Sequence, residues 1–150
     1  MKLKTWPLQH LPGLSAEHHQ QLQAAGLTTT TDLLRQTQSP QALQTLAQRL
    51  GLPLRYPKKW AALADLARLP SVGCQYCGLL LHSGVQSTGQ LAAIAPGRLH
   101  SQIQRLHTAN MRRSDLCPSP AQVVQWVQEA QQLLRLARAR GDGPSKPSRL

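Results

Sequence analysis

Residues 8–33 can be laid over residues 66–91 without a gap, and this internal repeat constrains the fold more than any other feature. At the offset of 58, Leu8 meets Leu66, Leu11 meets Leu69, Pro12 meets Pro70, Leu22 meets Leu80, Gly26 meets Gly84 and Thr30 meets Thr88. Leu14 and Leu27 become Val72 and Val85. Further on the offset drops to 56, which sets Pro40 on Pro96, Leu43 on Leu99 and Leu50 on Leu106. Each block is followed by a proline-started segment with a tryptophan, Trp60 or Trp126. Glycines and prolines dictate where a chain must turn, so keeping them together with the apolar spacing implies one supersecondary plan used twice.

The plan is helical. Ser15 can cap a helix that Gly26 stops. The run Thr28–Thr31 offers another cap, with Asp32 in the first turn where the helix dipole favours an acid. Pro40 opens a helix with Leu43, Leu46, Ala47 and Leu50 on one face, and Pro57 opens one through Trp60, Leu63, Ala64 and Ala67. The second block repeats this at about 73–83, 87–94 and 97–107. A last helix from Pro120 carries Val123, Trp126, Val127, Ala130, Leu133, Leu134 and Ala137 at core spacing, and Gly141 ends it. No useful β-alternation is present, so the class is all-α. The reading is a single domain over 5–140, made of fused units 5–56 and 57–140, with a disordered basic tail at 141–150.

Charge narrows the function. The 150 residues hold 17 Lys and Arg against 6 Asp and Glu, a formal +11. Such a surplus attracts polyanions: nucleic acid, an acidic protein partner or an anionic surface. The cations fall in groups: Lys2 and Lys4; Arg55, Lys58 and Lys59; Arg98, Arg105, Arg112 and Arg113 beside His100 and His107; and a C-terminal set from Arg135 to Arg149. The six acids are scattered, with no two at helical i,i+3 or i,i+4 spacing, and no nucleophile elbow, phosphate loop or H-E-x-x-H is present. An enzyme is not expected. No apolar run reaches the roughly 18 residues of a membrane span, and the N-terminus lacks the apolar core of a secretory signal. Three cysteines in such a chain imply reduced thiols and a cytoplasmic setting.

The pattern Leu11-Pro12-Gly13-Leu14-Ser15 with Gly26-Leu27, and Leu69-Pro70-Ser71-Val72-Gly73 with Gly84-Val85, resembles the helix-hairpin-helix motif. From about Leu8 to Ala137 the chain also resembles a mainly cyanobacterial family of unknown function built from two such units. The resemblance implies a hairpin whose backbone amides, beside a helix N-terminus, seat a phosphate of duplex DNA without reading sequence. Its candidate donors here are Gly13, Leu14 and Ser15, and Ser71, Val72 and Gly73. Each hairpin departs from the motif by keeping only one of its two glycines. Glu17 stands just after the first, where a cation is usual, and Arg68 stands just before the second. The second is therefore favoured as the phosphate seat, with Arg98, Arg105, Arg112 and Arg113 supplying the field. The rival reading is a protein-interaction adaptor whose basic face docks an acidic partner.

Cys74-x-x-Cys77 with Cys117 has the look of a metal half-site, with His82, His100 or His107 as a fourth ligand. The plainer reading is that Cys77 is a small buried apolar residue, while Cys74 lies in a first helical turn, where the dipole can lower a thiol's pKa. No cofactor is expected. His19 is expected to pack partly inward, His18 to be solvated, Trp60 and Trp126 to be core, and Trp6 to be exposed. With aromatics at 3% of the chain, base stacking on an aromatic surface is disfavoured.

Overall fold

A computed structural model describes residues 1–111 and 117–139, the side chains of 107–111 excepted. The described residues are helical: a 3-10 turn at Leu8–His10 and helices α1 (Ala16–Ala24), α2 (Thr30–Arg35), α3 (Pro40–Leu50), α4 (Arg55–Ala67), α5 (Gly73–His82), α6 (Thr88–Ala93), α7 (Pro96–Met111) and α8 (Pro120–Ala139). The expected tail at 141–150 lies outside the described residues. None of the described helices is long and apolar enough to cross a membrane.

The punctuation acts where the sequence places it. Ser15 caps α1, its Oγ accepting the His18 amide, and Ser39 caps α3 through the Ala42 amide. Thr29 and Asp32 form a reciprocal capping box at α2. The Thr28 amide and hydroxyl and the Thr29 amide all donate to Asp32 Oδ2, at 3.1, 2.9 and 3.1 Å. These bonds, those of Thr28 first, hold the Asp32 carboxyl below its ordinary pKa. After α1, Gly26 turns at φ +87 and the Leu27 amide reaches back to Leu22 O; after α5, Gly84 turns at φ +96 and Val85 reaches Leu80 O. These two ends share one bonding pattern, because glycine takes the left-handed conformation at little cost.

One helix starts earlier than expected. Pro57 is the third residue of α4, not the first. First-turn amides have no partner within the helix, so a proline fits there as well as at its opening position.

The chain divides into two compact units, Lys2–Ser87 and Thr88–Leu150, Met1 being grouped with the second. The boundary expected at 56/57 falls inside the first unit, since α4 packs on α2, α3 and α5. The core of this unit gathers Leu22, Leu33, Leu46, Trp60, Leu63, Leu66, Leu80 and their neighbours. In the second unit α6 and α7 pack on α8, burying Leu91, Leu99 and Ile103 with Val123, Trp126 and Ala130. Trp60 and Trp126 are core, as their spacing implied.

The first unit is also tied by its N-terminal strand of chain. Trp6 exchanges two bonds with Thr30: its amide donates to Thr30 Oγ1 and its carbonyl accepts the Thr30 amide, at 3.0 and 2.8 Å. That pairing satisfies the hydroxyl of Thr30, which is buried. The Lys4 amide donates to Arg68 O at 2.9 Å, and Trp6 Nε1–H donates to Ala67 O at 2.9 Å. Residues 4–6 thus form a strap from the start of α2 to the end of α4.

Candidate nucleic-acid interface

The turns at 11–15 and 69–73 occupy equivalent places in the repeat but differ in geometry, and one residue accounts for it. At 11–15, Gly13 sits at φ +78 and the Leu14 amide reaches Leu11 O at 3.5 Å, with Pro12 ahead of the glycine. This is a type II turn, which requires a left-handed third residue. At 69–73 the equivalent of Gly13 is Ser71, whose Cβ disfavours that conformation. The left-handed residue is instead Gly73, at φ +55, and both the Val72 and Gly73 amides turn inward onto Leu69 O, at 3.1 and 3.0 Å.

The amides proposed as donors at Val72 and Gly73 are therefore already occupied. They are also covered. Val72 and Gly73 are buried, and the Trp6 ring lies over Gly73, so that a Cβ there would meet Trp6 Cζ2 at 3.1 Å. Ser71 is half-buried and has a partner within the chain. Arg68, expected to serve this turn, is bonded to the Asp65 carboxylate through Nη2 at 2.5 Å and to the Asp65 carbonyl through Nε at 3.3 Å, and it lines a cleft with Lys4 and Arg35. The geometry thus reverses the order of preference between the two turns. Trp6, expected to be exposed, is half-buried by this packing.

The turn at 11–15 is open. Gly13 and Ser15 are exposed and Leu14 is half-buried. Among the described residues, the Gly13 and Ser15 amides find no acceptor in the chain. They lie next to the first turn of α1, whose leading amides point the same way along the helix axis. A cation stands at the same place: a Cβ at Gly13 would lie 3.4 Å from Lys59 Nζ. Lys59 comes from α4, where its sequence neighbours show it only as part of the basic group Arg55, Lys58 and Lys59. Its partner lies 46 positions away (59 − 13), so no local pattern could reveal the pairing. On the far side the turn rests on α5, Pro12 Cγ being 3.2 Å from a Cβ built at Gly78.

Around Lys59, α4 also presents Arg55 and Lys58, both exposed. Arg55 lies over the Tyr56 ring at 4.9 Å, and His18 sits against Tyr56 and Trp60 at 5.0 and 5.2 Å. His18 is therefore packed on aromatic rings, not solvated as expected. His19 is half-buried with Nε2 enclosed, in line with its expected inward packing. In the second unit, Arg98 and Arg105 are exposed on α7, and their i,i+7 spacing sets them on one face. Arg112 and Arg113 lie outside the described residues.

The cysteines behave as apolar residues. Cys77 is fully buried in α5, and Cys74 and Cys117 are half-buried. Burial pushes the Cys74 thiol up to about 11 and the Cys77 thiol up to about 12, so the dipole effect expected at Cys74 loses to desolvation. Burial raises Cys117 as well. Among the described residues, no three His, Cys, Asp or Glu side chains gather into a group that could hold a metal ion. Alkylation by iodoacetamide at pH 7.5 is expected to leave Cys74 and Cys77 largely unmodified in the folded chain and to modify both in denaturant. Prompt labelling of either in the folded state, read by mass spectrometry, would contradict this assignment.

Residues 12–133 match a family model described as Domain of unknown function (DUF4332). No curated protein and no solved structure matches the chain.

Proposed function

The chain belongs to the DUF4332 family, a domain of unknown function, and we propose that it is a non-enzymatic, sequence-independent nucleic-acid-binding protein of helix-hairpin-helix type. The turn at 11–15 seats a backbone phosphate. The observation that carries this reading is Lys59 Nζ standing at Gly13 beside two unpaired amides. A phosphate oxygen there would accept from the Gly13 and Ser15 amides while the ammonium balances its charge. Glycine leaves the approach to the backbone clear.

Duplex is favoured over single strand. Trp60 and Trp126 are enclosed and Trp6 is committed to Gly73, so the tryptophans leave no free platform for unpaired bases. Arg55 and Lys58 extend the positive field along α4, and Arg98 and Arg105 add a basic face in the second unit.

The test is fluorescence anisotropy of a labelled duplex across a salt series. Contact with several phosphates gives a log–log slope of about −3 or steeper. Glu17 stands in the first turn of α1, so Glu17→Gln should tighten binding by about threefold through loss of repulsion. No binding at low ionic strength, where screening is weakest, overturns the reading and assigns the charge to an acidic protein partner.

A further inference from the structure

We propose that the cleft between the strap, α2 and α4 is a second anion site, one that takes a phosphate or pyrophosphate group. It does not depend on the nucleic-acid reading. The cleft has a volume of about 280 Å³, and Lys4, Thr5, Thr31, Arg35, Gln38 and Arg68 line it. Three cations from three separate stretches of chain thus face one concavity, with no acid among its lining residues.

The two arginines are steered from outside it. Asp32 holds Arg35 at 3.5 Å and Asp65 holds Arg68 at 2.5 Å, each from one turn earlier on the same helix. Lys4 has no acidic partner among the described residues. The set keeps one uncompensated positive charge and two oriented guanidinium groups, a geometry suited to an oxyanion. Thr31 Oγ1 and Thr5 Oγ1 share a hydrogen bond at 2.7 Å on the same wall, which leaves one of the two hydroxyl hydrogens for a ligand.

The helix ends at this cleft oppose an anion, and donors to their carbonyls offset part of that. The cleft lies at the C-terminal ends of α2 and α4, where free carbonyls would repel negative charge. Four carbonyls at these ends have donors: Asp65 O from Arg68 Nε, Ala67 O from Trp6 Nε1, Arg68 O from the Lys4 amide, and Leu33 O from Thr37 Oγ1. Beside Leu3, Leu34 and Gln38, the cleft presents three cations and two hydroxyls. Because Lys4 and Thr5 belong to the strap while Arg35 and Arg68 belong to helices, a bound phosphate would cross-link the strap to the helices and raise stability.

The probe is pyrophosphate, with potassium chloride at matched ionic strength as control, and the readout is thermal unfolding of the full chain. At about ten times the dissociation constant, pyrophosphate should raise the midpoint by about 5 °C beyond the chloride control. Lys4→Gln and Arg35→Gln each change an exposed side chain and should each remove more than half of that shift; the double variant should remove all of it. A shift no larger than that of chloride, or one that survives in the double variant, overturns the proposal. The titration is repeated in Lys59→Gln, which lacks the cation of the turn at 11–15: there the Lys4 and Arg35 variants must still remove the shift, and a shift that disappears with Lys59→Gln alone belongs to that turn and overturns the cleft site. Competition between duplex and pyrophosphate, with weaker duplex binding in Lys4→Gln, assigns the bound group to a nucleic-acid backbone. Absence of competition assigns it to a free phosphorylated small molecule. Both of these results keep the site.

Discussion

Trp6→Ala is expected to destabilise the first unit by about 2–3 kcal/mol. A fully buried tryptophan truncated to alanine costs roughly 3–5 kcal/mol, and Trp6 is only half-buried. Two losses combine. The ring leaves Gly73, against which it packs at 3.1 Å from the position of a Cβ, and Ala67 O loses the donor that reached it at 2.9 Å. The backbone exchange with Thr30 and the Lys4 amide bond to Arg68 O survive the substitution, so the strap is weakened but not released. Trp6→Phe removes the N–H together with the outer ring edge that meets Gly73 but keeps an aromatic ring, so its cost is expected to fall between zero and that of Trp6→Ala. Urea unfolding followed by circular dichroism measures both. An unchanged midpoint for Trp6→Ala would mean that the Trp6 ring contributes nothing to stability.

The difference between what could be read from the sequence and what could not follows the range of each interaction. Ser15, Gly26, Thr29 and Pro40 act on amides within a few positions of themselves, so their type and spacing were sufficient to place α1, α2 and α3. The apolar periodicity of α8 likewise named Val123, Trp126 and Ala130 as core before any packing was known. The turn at 69–73 is only partly encoded locally. Its departure from the turn at 11–15 follows from Ser71 in place of Gly13, a difference visible in the sequence. Its consequence, both amides folding back onto Leu69 O, depends on where the left-handed conformation relocates. Trp6 over Gly73, Lys59 at Gly13 and the meeting of Lys4, Arg35 and Arg68 are contacts between distant segments, and no periodicity encodes them. Cys74 shows a local rule defeated by its surroundings: its place in the first turn of α5 favours a thiolate, but burial outweighs it.

Lys59→Glu is expected to weaken duplex binding by roughly ten- to hundredfold at low salt and to flatten the salt slope by about two, since one cation is lost and one anion gained at a phosphate contact. The effect is large because of position. The Gly13 and Ser15 amides can bind a phosphate only if its charge is balanced, and Lys59 is the cation that stands at Gly13. Reversal puts a carboxylate on a turn that Glu17 already flanks in the first turn of α1. Lys59 is exposed, so the fold should change by no more than about 0.5 kcal/mol, and circular dichroism with a urea titration can establish that independently. Lys58→Glu is the decisive comparison. It makes the same change in net charge one residue away on α4, where adjacent side chains point about 100° apart around the helix. A phosphate seated at the turn makes Lys59→Glu several times more damaging than Lys58→Glu. Equal losses from the two would mean that the chain binds through its overall +11 charge, and the turn at 11–15 would then serve only to join the chain to α1.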